Sequence, residues 1–383
     1  MRIFLSLHPS GNASVPNSMT WLHNLYEPLL DLGHEVYLVR IDEAATYLKA
    51  KRNTPLFKEK FSDYILHTFK KEHKKKKFDL FFSYFTDKHI FPELIDDINK
   101  LGIPTANFSC NNTHQFYLTE KIAPHYDYNL HSEKNAGEKF IKVGAKPIWF
   151  QMAANPNYYH PVKTDYKYDI SFVGSSYAKR ANYIYQLLTN NIDVHCFGPN
   201  WLINRPHVRL KKIYKELIRY QKLMKSILTL SENSRYSLSS EIQNYDLQCF
   251  LRKQYHNNLH YPISDDDMIK LYSESKINLG FLEVFSSDNN VGTHTKQHLH
   301  LREFEIPMSG GLYITNYSDE LAEHYEPDKE VLVFHNEYEL IDKIKYYLKN
   351  EEEAERIRLA GLKRALSCHT YQKRFTDLFK EIL

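Results

Sequence analysis

The sequence predicts an α/β protein made of two consecutive domains, each with a parallel sheet covered by helices. Three observations lead to this expectation. Short apolar, β-branched and aromatic runs alternate with helical patterns, which is typical of strand–helix–strand units. The alternation starts again in the middle of the chain, at Tyr168. Between the halves, residues 153–166 are rich in Asn, Pro and Tyr, as in an ordered linker, so we assign domains to residues 1–155 and 165–368.

The first half supplies the strands of the first predicted sheet. Its opening strand leads through a loop of Pro, Gly and Asn into a helical pattern at residues 19–32, and Gly33 follows at the position of a helix C-cap. A polar helix with a lysine run at residues 74–77 precedes the third strand. The predicted strands of this half are residues 2–7, 35–39, 78–82, 103–108, 127–130 and 147–151.

The second half repeats the pattern. Its first strand, residues 168–173, runs into Gly174-Ser175-Ser176, and a helix begins near Ala178. The last strand is followed by Asn336 with an acid three residues later, which is typical of a helix N-cap and predicts a helix over residues 338–348. The other predicted strands are residues 193–197, 276–281, 312–315 and 330–334.

The alternation lapses between residues 205 and 262, where we expect a helical insertion. Within it, residues 205–228 carry eight Lys or Arg against one Glu, while apolar residues recur at helical spacing. The ordinary interpretation is a solvated helix packed on its own domain. The alternative is a surface that contacts anionic lipid or a lipid-diphosphate acceptor.

Composition and charge limit the function classes. Hydrophobic residues make up 42% and charged residues 25% of the 383 residues, as in globular proteins. The net charge of +3 is too small for a dedicated nucleic-acid binder, so no nucleic-acid partner is expected. The four cysteines are scattered without a CxxC pair, which indicates a reducing compartment. Because no signal-peptide pattern and no stretch of about 18 apolar residues occurs, we expect a cytoplasmic enzyme or binding protein.

Familiar phosphate, nucleophile and zinc motifs are absent, since the sequence has no GxxxxGK[ST], GxSxG, HExxH or GxGxxG. His294, His298 and His300 lie close together, but their neighbours supply no Cys or carboxylate at ligand spacing. We therefore interpret them as loop and surface histidines and expect no metal site.

Phosphate binding is better supported, by turns that contain glycine. Gly174-Ser175-Ser176 joins a strand to a helix, where backbone N–H groups can face an anion. Arg180, on the first turn of that helix, can reach the same anion with its fork of donors. Gly198 and Asn200 lie in a second turn beside Trp201, whose ring could flank the base of a nucleotide. Taken alone, the first turn is better explained as a tight connection that needs glycine, and it is the set of turns together that favours a ligand.

A charged cluster precedes a third turn, Gly310-Gly311, where missing side chains let a ligand approach the backbone. A helix over residues 298–307 places Arg302 and Glu305 on one face, while Glu303 points away and is expected to be exposed. The pair is either a weak surface ion pair or part of a site, in which the Glu305 carboxylate accepts both hydroxyls of a ribose. We expect all three turns at the carboxyl ends of parallel strands, where open α/β sheets bind ligands.

These segments also carry a resemblance to a known family. Residues 171–175 (SFVGS), 275–279 (SKINL), 302–311 (REFEIPMSGG), 319–333 and 369–374 (HTYQKR) resemble, in this order, the motifs of spore-maturation (CgeB-type) glycosyltransferases of the GT-B superfamily. The resemblance covers about residues 165–383. The first 150 residues match only in general form.

The resemblance implies a GT-B fold, with two Rossmann-like domains facing a central cleft and residues 369–383 as a helix that returns to the first domain. The nucleotide-sugar donor would lie mainly on the second domain. Glu305 would bind the donor ribose, and Gly310 and Gly311 would line the donor. The donor diphosphate would lie near Gly174, Ser175 and Arg180. No metal or other cofactor is implied, because helix N-termini and basic side chains stabilise the leaving diphosphate in such enzymes.

The family pattern also indicates candidate catalytic residues. Many retaining GT-B enzymes carry a second Glu about eight positions before the ribose-binding one, where this sequence has Gln297. Retaining and inverting chemistry therefore both stay open. Lys296 and Arg302 are candidates for stabilising charge at the leaving phosphate.

An inverting enzyme would need a general base from the first domain. His8, just after the first strand, and His114, in an Asn-rich loop, are the candidates, although each is also readily explained as an ordinary loop histidine. Gly11 and Asn12 follow the first strand and are expected to face the acceptor cleft.

The leading hypothesis is a glycosyltransferase that moves a sugar from a nucleotide-sugar donor to a glycan, a lipid-linked acceptor or a protein. The alternative is a catalytically inactive GT-B protein that binds a nucleotide sugar or a glycan as an interaction module. We expect it in the cytoplasm, with peripheral contact to an anionic membrane through residues 205–228.

Overall fold

The computed structural model describes residues 1–10, 14–177, 179–202, 246–285 and 295–382. Within this part, the chain divides into two compact units. The first unit comprises residues 1–10, 17–159 and 365–382, and the second comprises residues 14–16 and the described residues between 160 and 364. The domain limits inferred from the sequence stay predictions. Gly11, Asn12 and the predicted basic helix at residues 205–228 lie outside the described residues.

The first unit contains a parallel sheet of six strands, in the order β2-β1-β3-β4-β5-β6. All six strands predicted for the first half of the chain are confirmed. They are β1 (Arg2–Leu7), β2 (Glu35–Arg40), β3 (Leu80–Ser83), β4 (Thr105–Ser109), β5 (Tyr128–His131) and β6 (Pro147–Trp149).

The second unit contains another parallel six-stranded sheet, in the order β14-β13-β10-β7-β8-β9. Its five predicted strands are confirmed, and a short sixth strand that the sequence did not predict, β9, pairs with β8. An unpredicted antiparallel hairpin, β11–β12, follows β10. The strands are β7 (Tyr168–Val173), β8 (Val194–Phe197), β9 (Leu259–His260), β10 (Ser275–Leu279), β11 (Glu283–Phe285), β12 (Thr295–Gln297), β13 (Tyr313–Asn316) and β14 (Leu332–Phe334).

Helices connect the strands of both sheets. In chain order they are α1 (Glu27–Asp31), α2 (Ile41–Tyr47), α3 (Pro55–Lys75), α4 (Glu93–Asn99), α5 (Asn112–Gln115), α6 (Gly137–Lys142), α7 (Arg180–Thr189), α8 (Asp265–Glu274), α9 (Arg302–Met308), α10 (Asp319–Ala322), α11 (Glu337–Tyr347), α12 (Glu351–Cys368) and α13 (Tyr371–Ile382). Residues 246–254 are helical as well. Within the described ranges, no helix combines the length and the apolar character needed to cross a membrane.

Local sequence signals explain where several helices begin and end. The predicted N-cap at Asn336 is confirmed, since its side chain accepts hydrogen bonds from the N–H groups of Tyr338 and Glu339, and α11 follows. The predicted helix at residues 19–32 is divided into a π-helical turn at Leu22–Tyr26 and the short α1. Gly33, with φ +77°, ends this segment as predicted.

The closing helix α13 belongs to the first unit. Its buried residues, Tyr371, Phe375, Leu378 and Ile382, recur at helical spacing. The Phe375 ring lies 5.8 Å from that of Phe82 in β3, in an edge-on arrangement. Burial of such a side chain contributes about 1.5–3 kcal/mol, so this apolar face holds the helix on the first sheet. The predicted return of the chain to the first domain is thereby confirmed.

The direction of α9 determines which residues can share a site. It follows β10 and precedes β13, and these two strands are parallel neighbours. A helix in such a crossover runs antiparallel to the strands, so α9 begins at the carboxyl edge of the second sheet and ends at the amino edge. The carboxyl edge is also where β7 and β8 end, next to Gly174 and Gly198.

Candidate functional site

Two glycine turns at the carboxyl edge of the second sheet contact each other. The Gly174 N–H donates to the carbonyl at the end of β8 (2.9 Å), and the Ser176 N–H donates to the Pro199 carbonyl (3.0 Å). A Cβ atom on Gly198 would lie 2.3 Å from the Gly174 oxygen, so this close approach requires glycine. Of the three amides in Gly174-Ser175-Ser176, only that of Ser175 donates to no group within the described chain. Two of the three amides of this loop are therefore already used by the protein, and the binding of an anion by the loop stays a prediction.

Arg180 brings a buried positive charge to the same loop. It is the first residue of α7, and its side chain is 2% exposed. Nη1 donates to the Ser175 carbonyl (3.2 Å) and Nη2 to the Phe281 carbonyl (3.4 Å), while Nε is buried and has no partner among the described residues. Burial and the nearby Arg302 guanidinium lower the pKa of Arg180 to about 10. Arg180 thus stays charged at neutral pH, although its surroundings disfavour that charge.

Arg302, the first residue of α9, supplies a second guanidinium at this edge and is partly exposed. Burial acts to lower its pKa, but the neighbouring Tyr272, Glu303, Tyr313 and Glu305 raise it on balance. The predicted donor-binding residue Arg180 and the predicted charge-stabilising residue Arg302 therefore lie at the same edge of the sheet, where their charges act on each other. Two neighbouring cations repel each other, and an anionic ligand between them would relieve that repulsion.

Glu303 was predicted to be exposed, and this is wrong, because its side chain is completely buried. Its Oε1 accepts a hydrogen bond from the Tyr313 hydroxyl (2.6 Å), and Oε2 accepts one from the His300 N–H. Burial raises the pKa of this carboxyl group, while Arg302 acts to lower it. Residues 303–308 are all buried, so α9 has no solvent face on which Glu303 could lie. Glu303 therefore anchors the start of α9.

Glu305 lies one turn into α9 and is also buried. Its carboxylate contributes to the raised pKa of Tyr272, although burial of that tyrosine is the larger cause, and it helps to raise the pKa of Arg302. Glu305 is therefore part of the same charged cluster as Arg302, which is the grouping that the sequence predicted. Its role toward a ribose stays a prediction.

Gly310 and Gly311 lie at the other edge of the sheet. They follow the C-terminal end of α9, where Gly310, with φ +72°, ends the helix and its carbonyl accepts a hydrogen bond from Arg358 Nη1 (2.9 Å). A Cβ atom on Gly311 would lie 2.6 Å from the Asn278 side chain. These glycines serve helix termination and tight packing, and the structure does not bring them together with Arg180.

The aromatic ring of the second predicted turn, that of Trp201, is not exposed to a ligand. Trp201 is 1% exposed, and its Nε1 donates to the Gly174 carbonyl (2.7 Å). The interpretation of Trp201 as a flank for a nucleotide base is therefore wrong, because the indole packs in the core and supports the Gly174 loop. Asn200 is exposed, has φ +69°, and its carbonyl accepts a hydrogen bond from Arg252.

Lys296 and Gln297 lie on β12, opposite Val284 and Glu283 of β11. The side chain of Lys296 lies outside what the structure describes. Its assignment to charge stabilisation therefore stays a prediction from the sequence.

In the first unit, His8 follows β1 at the carboxyl edge of the sheet. Its Nδ1 lies within hydrogen-bond distance of both the carbonyl oxygen and the N–H of Ser10: donation to the carbonyl leaves the lone pair of the neutral ring on Nε2, whereas acceptance from the N–H puts the proton there. Nε2 is buried and has no partner among the described residues. Burial, together with Arg52, lowers the pKa of His8 below its usual 6.5. In the tautomer with its lone pair on Nε2, this neutral imidazole has what a general base requires.

His114 lies on α5, just beyond the end of β4, and Glu133 follows the neighbouring strand β5. A nitrogen of His114 and a carboxylate oxygen of Glu133 lie within 4.8 Å of each other. Glu133 is buried, which raises the pKa of its carboxyl group, and it accepts a hydrogen bond from the Thr113 N–H. Sequence reasoning missed Glu133; the available signal was its place after a strand end next to that of His114.

The sequence of residues 179–380, slightly more than half of the chain, matches a family model described as glycosyl transferase-like. The matched segment includes Arg180, Arg302 and Glu305. A comparison with curated proteins finds no match.

Solved structures resemble the whole chain at low sequence identity. HepE from Anabaena, in complex with UDP-glucose, has a TM-score of 0.57 at 11% identity. Sucrose-phosphate synthase from Thermosynechococcus elongatus has 0.57 at 12%, and a glycosyltransferase from Rickettsia africae has 0.58 at 12%. Each alignment covers 99% of this chain and 98% of the other. The likeness confirms the predicted GT-B fold.

Proposed function

The chain belongs to the glycosyl transferase-like family, and on this premise we propose that it transfers a sugar from a nucleotide-sugar donor to a glycan, a lipid-linked acceptor or a protein. The observation that carries the proposal is that two guanidinium groups, those of Arg180 and Arg302, lie at the carboxyl edge of the second sheet, where their charges act on each other. HepE was solved with UDP-glucose, and also with UDP and glucose, which supports a UDP-sugar as the first donor to test.

The donor diphosphate would lie between Arg180 and Arg302. A guanidinium group binds phosphate oxygens through two parallel N–H donors, and the Nε of Arg180, which donates to none of the described residues, would serve this purpose. The bound diphosphate would also remove the repulsion between the two cations. As the bond to the sugar breaks, the same groups would stabilise the charge that develops on the leaving diphosphate.

Glu305 would accept the two ribose hydroxyls, and Glu303 would hold the first turn of α9 so that Arg302 keeps its position. We propose that transfer needs no metal ion or other cofactor, because two fixed guanidinium groups supply the positive charge that a metal would otherwise provide. Activity that is unchanged after dialysis against EDTA would support this, and activity that returns only with added Mg²⁺ or Mn²⁺ would contradict it.

His8 and His114 are the proposed alternatives for the base that takes the proton of the acceptor hydroxyl in an inverting reaction. The lowered pKa of His8, which keeps its imidazole neutral at neutral pH, favours His8. The nearby Glu133 carboxylate favours His114, because a carboxylate stabilises the imidazolium that forms when the base takes a proton. Separate His8→Gln and His114→Gln variants distinguish them, since only loss of the base removes the acid limb of the pH–rate profile.

The experiment that tests the proposed function is a donor panel of UDP-, GDP- and CMP-sugars. One donor should raise the thermal midpoint of unfolding, because a ligand at 100 times its Kd stabilises the folded state by about 2.7 kcal/mol. The same donor should be hydrolysed slowly to sugar and nucleoside diphosphate, and faster with an acceptor. If no nucleotide sugar binds, the proposal is wrong.

The second candidate function is an inactive module that binds a nucleotide sugar or a glycan. The observation in its favour is Gln297, which stands where many retaining enzymes of this fold carry a carboxylate. Donor binding without hydrolysis or transfer, across glycan, lipid-linked and peptide acceptors, would support the module over the enzyme.

Two finer assignments are also proposals. The ordered motifs from residue 171 to residue 374 support a CgeB-type, spore-maturation-like member of the family. The excess of Lys and Arg at residues 205–228 supports a cytoplasmic protein that contacts anionic lipid and could meet a lipid-linked acceptor there.

A further inference from the structure

A cavity of about 220 Å³ opens at the amino edge of the second sheet. Tyr166, Lys276 and Leu312 line it from just before or at the start of β7, β10 and β13. Because Arg180 and Arg302 lie at the carboxyl edge, this cavity is separate from the donor site proposed above. No residue of the cavity has a role in the proposed transfer reaction.

An exposed aromatic ring forms one wall. Tyr166 is 53% exposed, and within the described ranges its ring packs against no other ring. A tyrosine ring combines a large apolar face with a polar hydroxyl group. Such a face suits the C–H face of a pyranose ring, which is apolar while its edge carries hydroxyls.

The charged groups of the cavity neutralise one another. Lys276 Nζ lies 3.2 Å from Asp169 Oδ1, and Arg358 donates to the Glu355 carboxylate through both Nε and Nη2. Each cation therefore already has a carboxylate partner, so the cavity lacks the unpaired positive charge that would select a phosphate. This distinguishes it from the carboxyl edge, where Arg180 forms no ion pair with a carboxylate of the described residues.

Two carboxylates of the cavity are exposed to solvent and can accept further hydrogen bonds. The side chain of Glu351 is 75% exposed, and that of Glu355 is 45% exposed. An ionised carboxylate has about four acceptor positions, so each can take further hydroxyl donors beside its cation. Lys276 and Arg358 add donors for ligand oxygens. These groups match a ligand with many neutral hydroxyls.

Apolar groups form the floor of the cavity. Leu312 and Tyr347 are buried, and they line the cavity together with Ala354. Burial raises the pKa of Tyr347 to about 12, so its hydroxyl group stays protonated at neutral pH. An apolar floor under a polar rim is the usual composition of a small-molecule site.

We propose that this cavity is a second carbohydrate site, which binds one neutral pyranose ring of a glycan against Tyr166. The cavity is smaller than the roughly 300–1,000 Å³ typical of drug-sized ligands, which favours a single ring over a nucleotide. Such a site would hold a glycan on the second unit at the edge opposite the donor site. The inference goes beyond the proposed function, because it requires no transfer.

The test is saccharide binding by the full chain, measured by saturation-transfer NMR. The probes are the methyl β-pyranosides of glucose, galactose and N-acetylglucosamine. Tyr166→Ala should weaken binding of the best probe by about tenfold, the loss expected for a stacked aromatic ring. Glu351→Gln should weaken it by a few-fold, because the amide keeps one acceptor oxygen. Tyr338→Ala, which removes an 81% exposed tyrosine elsewhere in this unit, is the matched control and should bind like wild type.

Several results would overturn the proposal: wild-type protein that binds none of the probes at tens of millimolar, Tyr166→Ala that binds them unchanged, or UMP that displaces them from this cavity. UDP-sugar binding is measured on the same samples. If the wild-type protein binds a saccharide but no UDP-sugar, the proposed function is contradicted and the carbohydrate site is supported. The reverse result would remove this site and leave the donor site.

Discussion

Replacing Arg180 with Met tests whether this buried cation exists for a ligand. A pKa of about 10 instead of the usual 12.5 corresponds to about 3 kcal/mol that disfavours the charged form in the folded protein. Met keeps an apolar contact with the neighbouring rings but loses two long hydrogen bonds of a charged donor, to Ser175 and Phe281, worth about 1.5 kcal/mol each. The free energy of unfolding should therefore stay within about 1 kcal/mol of wild type.

This expectation differs from that for an ordinary buried ion pair, where removal of one partner costs about 3–5 kcal/mol. The penalty on Arg180 is constant below pH 10 and would be lifted only as the pH rises through its lowered pKa. Urea unfolding of the variant at neutral pH is therefore the correct measurement, and a pH titration is not.

Donor binding should respond in the opposite way. A hydrogen bond to a charged group is worth about 1.5–3 kcal/mol, so Arg180→Met should weaken binding of the donor by roughly 10- to 150-fold. Isothermal titration with UDP and the best UDP-sugar measures this loss. Arg356→Met is the matched control, because its side chain is 76% exposed and the change in net charge is the same. Unchanged donor affinity in Arg180→Met, or a loss of several kcal/mol of stability, would refute the reasoning.

Three further predictions concern other parts of the chain. Glu305→Ala should weaken donor binding by at least about tenfold with an unchanged circular dichroism spectrum, and unchanged affinity would exclude Glu305 as the ribose ligand. If His8 is the base, kcat/KM should fall as the pH drops through the lowered pKa of His8, below 6.5, and His8→Gln should remove this limb and slow turnover about 10²–10⁴-fold; an acid limb that survives in His8→Gln would exclude it. Charge reversal at Lys211, Lys212 and Lys215 should reduce sedimentation of the protein with anionic vesicles. If the wild-type protein does not bind such vesicles, the proposed membrane contact is wrong.

The fold was predictable from the sequence because its signals are local and repeated. Strands and helices alternate with clear boundaries, and the cap at Asn336 marks a helix start without tertiary information. The short strand β9 and the antiparallel pair β11–β12 were not predicted. These strands have only two or three residues each, and each depends on its pairing partner. Such pieces are too short to show a period of two.

The candidate site was predictable only in part, because burial and direction depend on tertiary packing. The spacing of Arg302 and Glu305 gave the correct pair, but the same reasoning put Glu303 in solvent, since it assumed that α9 buries one face. The glycines at positions 174 and 311 correctly indicated that other atoms lie close to the backbone there. The sequence could not indicate whether those atoms belong to a ligand or to the chain itself. In this protein they belong to the chain at both positions.

In the proposed donor site, recognition of the diphosphate would therefore fall to side chains, and this predicts the effect of replacing Arg180. The Gly174 and Ser176 amides already donate within the protein, so the loop offers a phosphate one N–H, that of Ser175. Lys in place of Arg180 would keep the charge, but one ammonium group cannot contact two carbonyls and a phosphate in the fixed plane of a guanidinium. Arg180→Lys should thus lose most of the donor affinity that Arg180→Met loses. A loop that bound phosphate through its backbone would tolerate the exchange, so near-wild-type affinity in Arg180→Lys would show that the amides rearrange when the donor binds.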